Sequence, residues 1–355
     1  MTYTPALDNS DLLSWDGIRA AEDVRWRGLL LGNGSSIAVA ESFAYPSLYD
    51  VACSDRIDNP LGAASRRLFE DLATRNFEFV LASLKLAGRV NAAAGIDAPI
   101  LSQLYREIQI ALFESVASVH VEWDRVASRT LAQIRRELLN YKRVYSTNYD
   151  LLVYWAMLRE GDPYDFRDFL WAEGNSFDPA DVGILGDPTL VYFLHGGVHL
   201  RRTPNGRSFK RTAQQQQNLL SQFPTTWESD EIPLLISEGD SNDKLVSINR
   251  SDYLSFAYRR FLEHQGNLVV YGHGLGGADD HLVRAINGWS KPEAPRQIAL
   301  SIRREIGEVA IRQEKQRLAQ RLPESDLWFY DADSHPLGES NVRPRPVRDL
   351  FRRLR

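Results

Sequence analysis

The chain holds one cysteine, Cys53, among 355 residues. A single thiol excludes an intramolecular disulfide framework and any zinc site of the Cys-x-x-Cys type, and a reducing, cytoplasmic compartment is the expectation. Long apolar runs are also missing: no stretch approaches the roughly 18–20 residues of a membrane-spanning helix. The first eleven residues lack a basic segment followed by an apolar one, so no signal peptide is expected. Positive charge is not in excess either. The chain carries 42 Lys and Arg against 47 Asp and Glu, a formal charge of −5, which argues against a surface built throughout for nucleic acid. What is present suits a globular protein: 43% of the residues are hydrophobic, and a chain this long can bury a full core without staples.

Charge is unevenly placed. Asn341 to Arg355 contains six arginines and one acid, Asp349. Val347, Leu350, Phe351 and Leu354 lie between them, so the segment reads as an amphipathic tail that docks on its own body or on a sister subunit. Contact with nucleic acid is expected only through this tail.

Strand-like and helix-like segments alternate, which predicts an α/β fold with a Rossmann-like, mainly parallel sheet. Strands are expected at Gly28–Leu31, Arg143–Ser146, Leu190–Leu194, Pro233–Ser237, Asn267–Tyr271, Gln297–Ile302 and Leu327–Tyr330. Between the first two, residues 61–141 form a helical insertion. Leu68, Leu72, Phe79 and Leu86, then Leu101, Leu104, Ile108 and Leu112, then Val126, Leu131, Ile134 and Leu138 recur at helical spacing and predict packing faces. Thr203–Glu231, with Gln214 to Gln217, reads as a polar loop region.

In such a sheet, ligands bind beyond the carboxyl ends of the strands, so four strand ends carry the candidate chemistry. Gly32-Asn33-Gly34-Ser35-Ser36 is a glycine turn before a helix, able to aim N–H groups at a phosphate; it reads equally as a tight strand-to-helix turn. Thr147-Asn148-Tyr149-Asp150 puts polar groups at the second strand end, as ligand contacts or as helix caps. His195-Gly196 offers a general base near neutral pH, or a buried structural histidine. Gly272-His273-Gly274-Leu275, with Gly277, satisfies G-x-G-x-x-G, but no acid follows at the end of the next strand. Asp279 and Asp280 read as acids at a helix N-terminus, and His281 has no further ligand set, so no metal is expected.

These four motifs, in this order, resemble the sirtuin-like family over residues 25–290, and Asn76-Phe77-Glu78-Phe79-Val80-Leu81 looks like a helix of bacterial sirtuin-like defence proteins. Sirtuin deacylases carry a four-cysteine zinc module and a Gly-Ala-Gly-Ile-Ser turn, and this chain has neither. The resemblance therefore points to the bacterial branch, whose members hydrolyse NAD in antiphage defence. It implies residues 1–300 as an NAD-binding domain containing the insertion, with a C-terminal helix, strand and basic tail in 301–355 packed on the same domain. It implies NAD as the substrate and no metal. Asn148, His195 and Asp150 would be catalytic. Asn148 would hold a ribose hydroxyl or water, His195 would accept a proton, and Asp150 would orient the nicotinamide amide. Gly32, Asn33, Gly34, Ser35, Ser36 and Thr147 would bind NAD, with Gly272, His273, Gly274 and Leu275 on the adenosine side. A homo-oligomer and a separate activator protein are expected. The alternatives are a non-catalytic sensor of NAD or ADP-ribose and an NAD-dependent transferase or deacylase.

Overall fold

Leu29 and Leu31 join the hydrophobic cluster on one face of a sheet and Leu30 the cluster on the other, and all three are buried. Neighbouring strands repeat the pattern: Val144, Val269 and Ala299 face with Leu29, while Tyr145, Val270 and Leu300 face with Leu30. A sheet buried on both faces needs near-continuous apolar strands and is the mark of a parallel α/β core. The computed structural model describes residues 7–21, 24–44, 47–159, 161–162, 164–181, 186–203, 205–212, 231–236, 240–289 and 295–338. The arginine-rich tail and the Gln214–Gln217 run lie outside these residues.

The strands are β1 (Trp26–Leu31), β2 (Arg143–Ser146), β3 (Phe166–Arg167), β4 (Thr189–Phe193), β5 (Gly196–Arg202), β6 (Ser208–Lys210), β7 (Ile232–Leu235), β8 (Asn267–Tyr271), β9 (Arg296–Ile302) and β10 (Ser325–Asp331). Seven of them form one sheet in the order β10-β9-β8-β1-β2-β4-β3, with every pairing parallel. The other three form a small antiparallel sheet, β6-β5-β7. Pro233–Ser237, expected as a strand of the main sheet, thus corresponds to β7 in the small one. Its Pro233 lies opposite Arg201 on a strand with one paired side, where a missing N–H is tolerated.

The helices are α1 (Trp15–Arg19), α2 (Asn33–Val39), α3 (Leu48–Ala52), α4 (Ala63–Asp71), α5 (Phe77–Ala93), α6 (Pro99–Val119), α7 (Ser128–Leu138), α8 (Leu152–Leu158), α9 (Ser241–Asn249), α10 (Asp252–Leu262), α11 (Asp280–Asn287) and α12 (Glu308–Arg321). Helices α3 to α7 lie between β1 and β2, and their buried residues join the cluster that contains Leu29. α10 to α12 cover the opposite face through Phe261, Ile286 and Leu318. Ile108, Leu112, Leu131, Ile134 and Leu138 are buried as their spacing predicts, but Leu86, expected on the α5 packing face, is 60% exposed. From β1 the chain builds outward through β2 and β4 on one side, with the short β3 at the far edge, and through β8, β9 and β10 on the other, so the order reverses at β1. In open α/β sheets this switch point opens a crevice beyond the strand ends.

Two glycine turns close the base of that crevice. Gly272 follows β8 at φ +66°, and a Cβ there would lie 2.5 Å from the Ser35 nitrogen; a Cβ on Gly32 would lie 2.6 Å from the Gly272 oxygen. The ends of β1 and β8 therefore touch backbone to backbone, locked by a Gly34 N–H to Gly272 carbonyl bond of 2.8 Å. Among the described residues, no helix is long and apolar enough to cross a membrane.

Candidate functional site

A cavity of about 300 Å³ opens at the switch point, lined by residues that include Asn33, Thr147, Asn148, Asp150, His195, Gly272, His273 and Gly274. That volume is at the lower end of the range for small-molecule sites. Loops after β1, β2, β4 and β8 all reach it, so the four strand ends that the sequence marks converge on one pocket. Gly32, Gly34, Ser35, Ser36 and Leu275 do not line it. Leu275, assigned to the adenosine side, is buried in the core beneath α10 to α12.

The polar centre is a chain of hydrogen bonds from β2 to α2. Asp150 Oδ1 accepts from the Leu152 N–H at 2.8 Å, and Asp150 Oδ2 accepts from the Ser36 hydroxyl. Ser35 donates its hydroxyl proton to the Gly32 carbonyl at 2.8 Å. Both serine oxygens are therefore acceptors toward Asn148, whose Nδ2 lies 2.9 Å from each. Each hydroxyl has only one proton to give, so this arrangement settles which end of the Asn148 amide is nitrogen. It leaves Asn148 Oδ1 buried without a partner.

This chain also shows where the donors of the glycine turn and the oxygens of Asp150 are directed. Ser35 and Ser36 direct their hydroxyl protons into the protein, and the Gly34 and Ser35 N–H groups bond the Gly272 and Gly32 carbonyls. The turn in this form orders Asn148 rather than presenting those donors to a phosphate. Asp150 has both oxygens engaged by the protein and acts on Asn148 through Ser36. His120 fixes the segment from behind. Its Nδ1 faces the Val121 carbonyl at 2.7 Å and so bears the proton, while Nε2 accepts from the Leu151 N–H at 2.9 Å.

Across the pocket, His195 is 3% exposed, and its Nε2 lies 3.0 Å from the Nε2 of a fully buried His281. Burial lowers the proton affinity of both rings. His195 is pushed well below the ordinary histidine value, with Lys244 adding to the effect; His281 falls to about 4, against an opposing pull from Asp279. His273 is lowered too, by burial and then by Lys244 against Asp279. All three are neutral near pH 7. Asp279 is raised by burial, but its charged and polar neighbours, with Lys244 hydrogen-bonded to it, outweigh this and hold it well below the usual carboxylate range. With the histidines neutral, Lys244 is the acting cation, at 2.7 Å from Asp279 Oδ1.

Lys244 is the only Lys or Arg among the described residues lining this pocket, and sequence reading missed it. The available signal was the capping box Asp240-Ser241-Asn242-Asp243, which starts α9 just after β7 and sets Lys244 one turn into a helix that follows a strand. Asp279, read as a helix-terminus acid, occupies the N-cap position of α11 but makes no side-chain cap there; it turns inward to Lys244. Asp280 pairs with Arg321.

His195, Asp279 and His281 bring potential ligand atoms within 4.8 Å of one another. The carboxylate, however, is already occupied: Lys244 holds Oδ1, and His273 Nε2 stands 3.7 Å from Oδ2. Leu275 N–H donates to His273 Nδ1 at 3.0 Å, so the proton of that ring is on Nε2, toward Asp279. A divalent cation there would displace the carboxylate's partners and lie close to an ammonium group. His281 therefore has two ligand neighbours that the sequence reading did not give it, His195 and Asp279, and in this structure the carboxylate of that group is held by Lys244.

A family model with the description "Domain of unknown function (DUF4917)" matches residues 29–337. No curated protein matches the chain. Among solved structures, a Sir2 homologue in complex with NAD is similar at 14% identity and a TM-score of 0.36, over 94% of this chain and 92% of that one.

Proposed function

The chain belongs to the DUF4917 family, and we propose that its pocket binds NAD and cleaves the bond between nicotinamide and ribose. The observation that carries this reading is Asn148 Oδ1, a buried acceptor with no partner, on a residue that lines the same cavity as His195. An unsatisfied buried acceptor costs about 1–3 kcal/mol, which a ligand O–H would relieve; a ribose hydroxyl or an attacking water supplies one.

The chemistry asks for little else. The nicotinamide leaving group is already cationic, so no acid is needed to expel it. The protein has to hold the ribose, stabilise a cationic ring centre and position water. Asn148 and His195 hold oxygen atoms of ribose or water, and Asp150 orders Asn148 through Ser36. Phe43, Tyr149 and Ile236 contribute to the walls.

The four loop motifs resemble the sirtuin-like family without its four-cysteine module. This supports a place beside bacterial NADases of antiphage defence rather than deacylases. Residues 1–300 as the NAD-handling domain, assembly through the basic tail, and a separate activator belong to the same reading.

The test is incubation of the pure protein with NAD and no acylated peptide, reading nicotinamide and ADP-ribose or its cyclic form. Release of nicotinamide that is lost in Asn148→Ala supports the proposal. Turnover only with an acylated peptide overturns it, and NAD binding without turnover points to a sensor.

A further inference from the structure

We propose that His281 and Ser241 fix the tautomer of His195, so that His195 meets the pocket with Nδ1–H as a hydrogen-bond donor. The tautomer follows from the hydrogen bonds of Ser241 and His281. Its functional meaning rests on the activity proposed above.

The argument begins at Ser241 Oγ. It accepts from the His281 backbone N–H at 2.8 Å and from the Arg284 guanidinium at 3.3 Å. Neither group can do anything but donate, and a hydroxyl oxygen has two lone pairs. The remaining capacity of Ser241 is its proton, and His281 Nδ1 lies 3.3 Å away. Ser241 therefore donates to Nδ1, and a neutral His281 bears its own proton on Nε2.

That proton points at His195 Nε2, 3.0 Å away. Two facing ring nitrogens share one proton between neutral rings, and here His281 supplies it. His195 Nε2 is then the acceptor, and the His195 proton is on Nδ1, the ring nitrogen that His281 does not hold, on a residue that lines the pocket. The charged groups around His195, Asp279 and Lys244, pair with each other, and neighbouring His273 and His281 are neutral, so no nearby group forces His195 into the imidazolium form.

The consequence differs from the expected base. His195 in this form donates to an oxygen of ribose or water, and Asn148 Oδ1 accepts from one. The pocket thus offers a ligand hydroxyl one donor and one acceptor. His281 and Ser241 do not line the cavity and act on it through His195, as positioning residues.

The tautomer is read by long-range ¹H–¹⁵N correlation spectroscopy of the ligand-free, full-length protein at pH 7.5, with the His195 signals identified by their loss in His195→Gln. A protonated Nδ1 with an unprotonated Nε2 is the expected result; a protonated Nε2 overturns the proposal. His281→Leu removes the donor and should let His195 populate both tautomers, while His281→Gln keeps an N–H in nearly the same place and should restore Nδ1–H. If both variants keep the wild-type tautomer, positioning by His281 is wrong. Zinc added alone provides a further arm: saturable changes in both rings and a rise in melting temperature would make the pair a metal site and overturn the tautomer argument. In turnover, His281→Leu should lose roughly 10-fold or more and His281→Gln regain most of it. The NMR arms decide the tautomer even if NAD is not the substrate.

Discussion

Asn148 Nδ2 lies 2.9 Å from Ser36 Oγ, and Ser36 passes its own proton to Asp150. The direction of these bonds leaves Asn148 with a free acceptor, Oδ1, on a residue that lines the pocket. Asn148→Ala should therefore lower turnover at least ~10²-fold with little change in fold, the size of effect seen when a positioned polar group is lost from a reaction centre. Asn148→Asp should behave differently. Its carboxylate has no N–H for Ser35 and Ser36, and it adds a second acid beside Asp150. Loss of turnover with a lower melting temperature is expected for Asp, and loss with an unchanged melt for Ala.

Ser36 and Ser35 both bind Asn148, but they are not equivalent. Ser36→Ala leaves Asp150 Oδ2 without its hydroxyl partner in a buried setting, whereas Ser35→Ala removes a hydrogen bond made by a half-buried hydroxyl. Ser36→Ala should cost about 1–3 kcal/mol and Ser35→Ala less. Urea midpoints of the two variants decide this, and equal midpoints would show that the Asp150 bond contributes nothing special.

Much of this site was readable in advance because a parallel sheet gathers the carboxyl ends of its strands at one edge. Asn148, His195 and Gly272 follow strands that apolar runs make legible, and they meet in one pocket. What escaped depends on side-chain direction. Asp279 was classed by its position at a helix start, but its carboxylate turns to Lys244 rather than to the helix N–H groups. Lys244 itself follows a strand that belongs to the other sheet. Ser35 and Ser36 look like phosphate donors in sequence, and only the chain through Asn148 and Asp150 reveals where their protons go. Leu86 was grouped by spacing with Phe79, which is only half-buried; α5 buries the adjoining face, Phe77, Val80, Leu81 and Leu84, and Leu86 falls outside it.

Gly272 and Gly274 stand two residues apart in the same motif, yet they should respond oppositely to alanine. Gly272 has φ +66° and its added Cβ would lie 2.5 Å from the Ser35 nitrogen, while a Cβ on Gly274 meets nothing within 4 Å. Gly272→Ala pushes the β8 turn off the β1 turn, where Ser35 helps orient Asn148. It should lower the melting temperature and reduce turnover, and Gly274→Ala should change stability little. If Gly272→Ala melts like the wild type, the backbone contact between the two turns is not as described.

The last prediction concerns acid. Burial lowers the proton affinity of all seven histidines, His120, His195, His199, His264, His273, His281 and His335. His281 falls to about 4, and His264 and His335 to about 3. In the unfolded chain each titrates near 6.5. As pH falls from about 7.5, the unfolded state therefore takes up protons that the folded state refuses, and stability must fall with it. The stabilisation is complete above the unfolded value and is lost as pH drops toward the folded ones, between roughly 6.5 and 3. Each histidine contributes a slope of up to ~1.4 kcal/mol per pH unit. The slopes of His264, His281 and His335, with folded values of about 3, 4 and 3, already weigh against the ~5–15 kcal/mol stability of an ordinary domain, and the other four act in the same direction. Urea midpoints should be flat from pH 8 to about 7.5, decline below 6.5, and vanish before pH 4. Midpoints that stay level down to pH 5 would mean that these rings are hydrated enough to accept protons without unfolding.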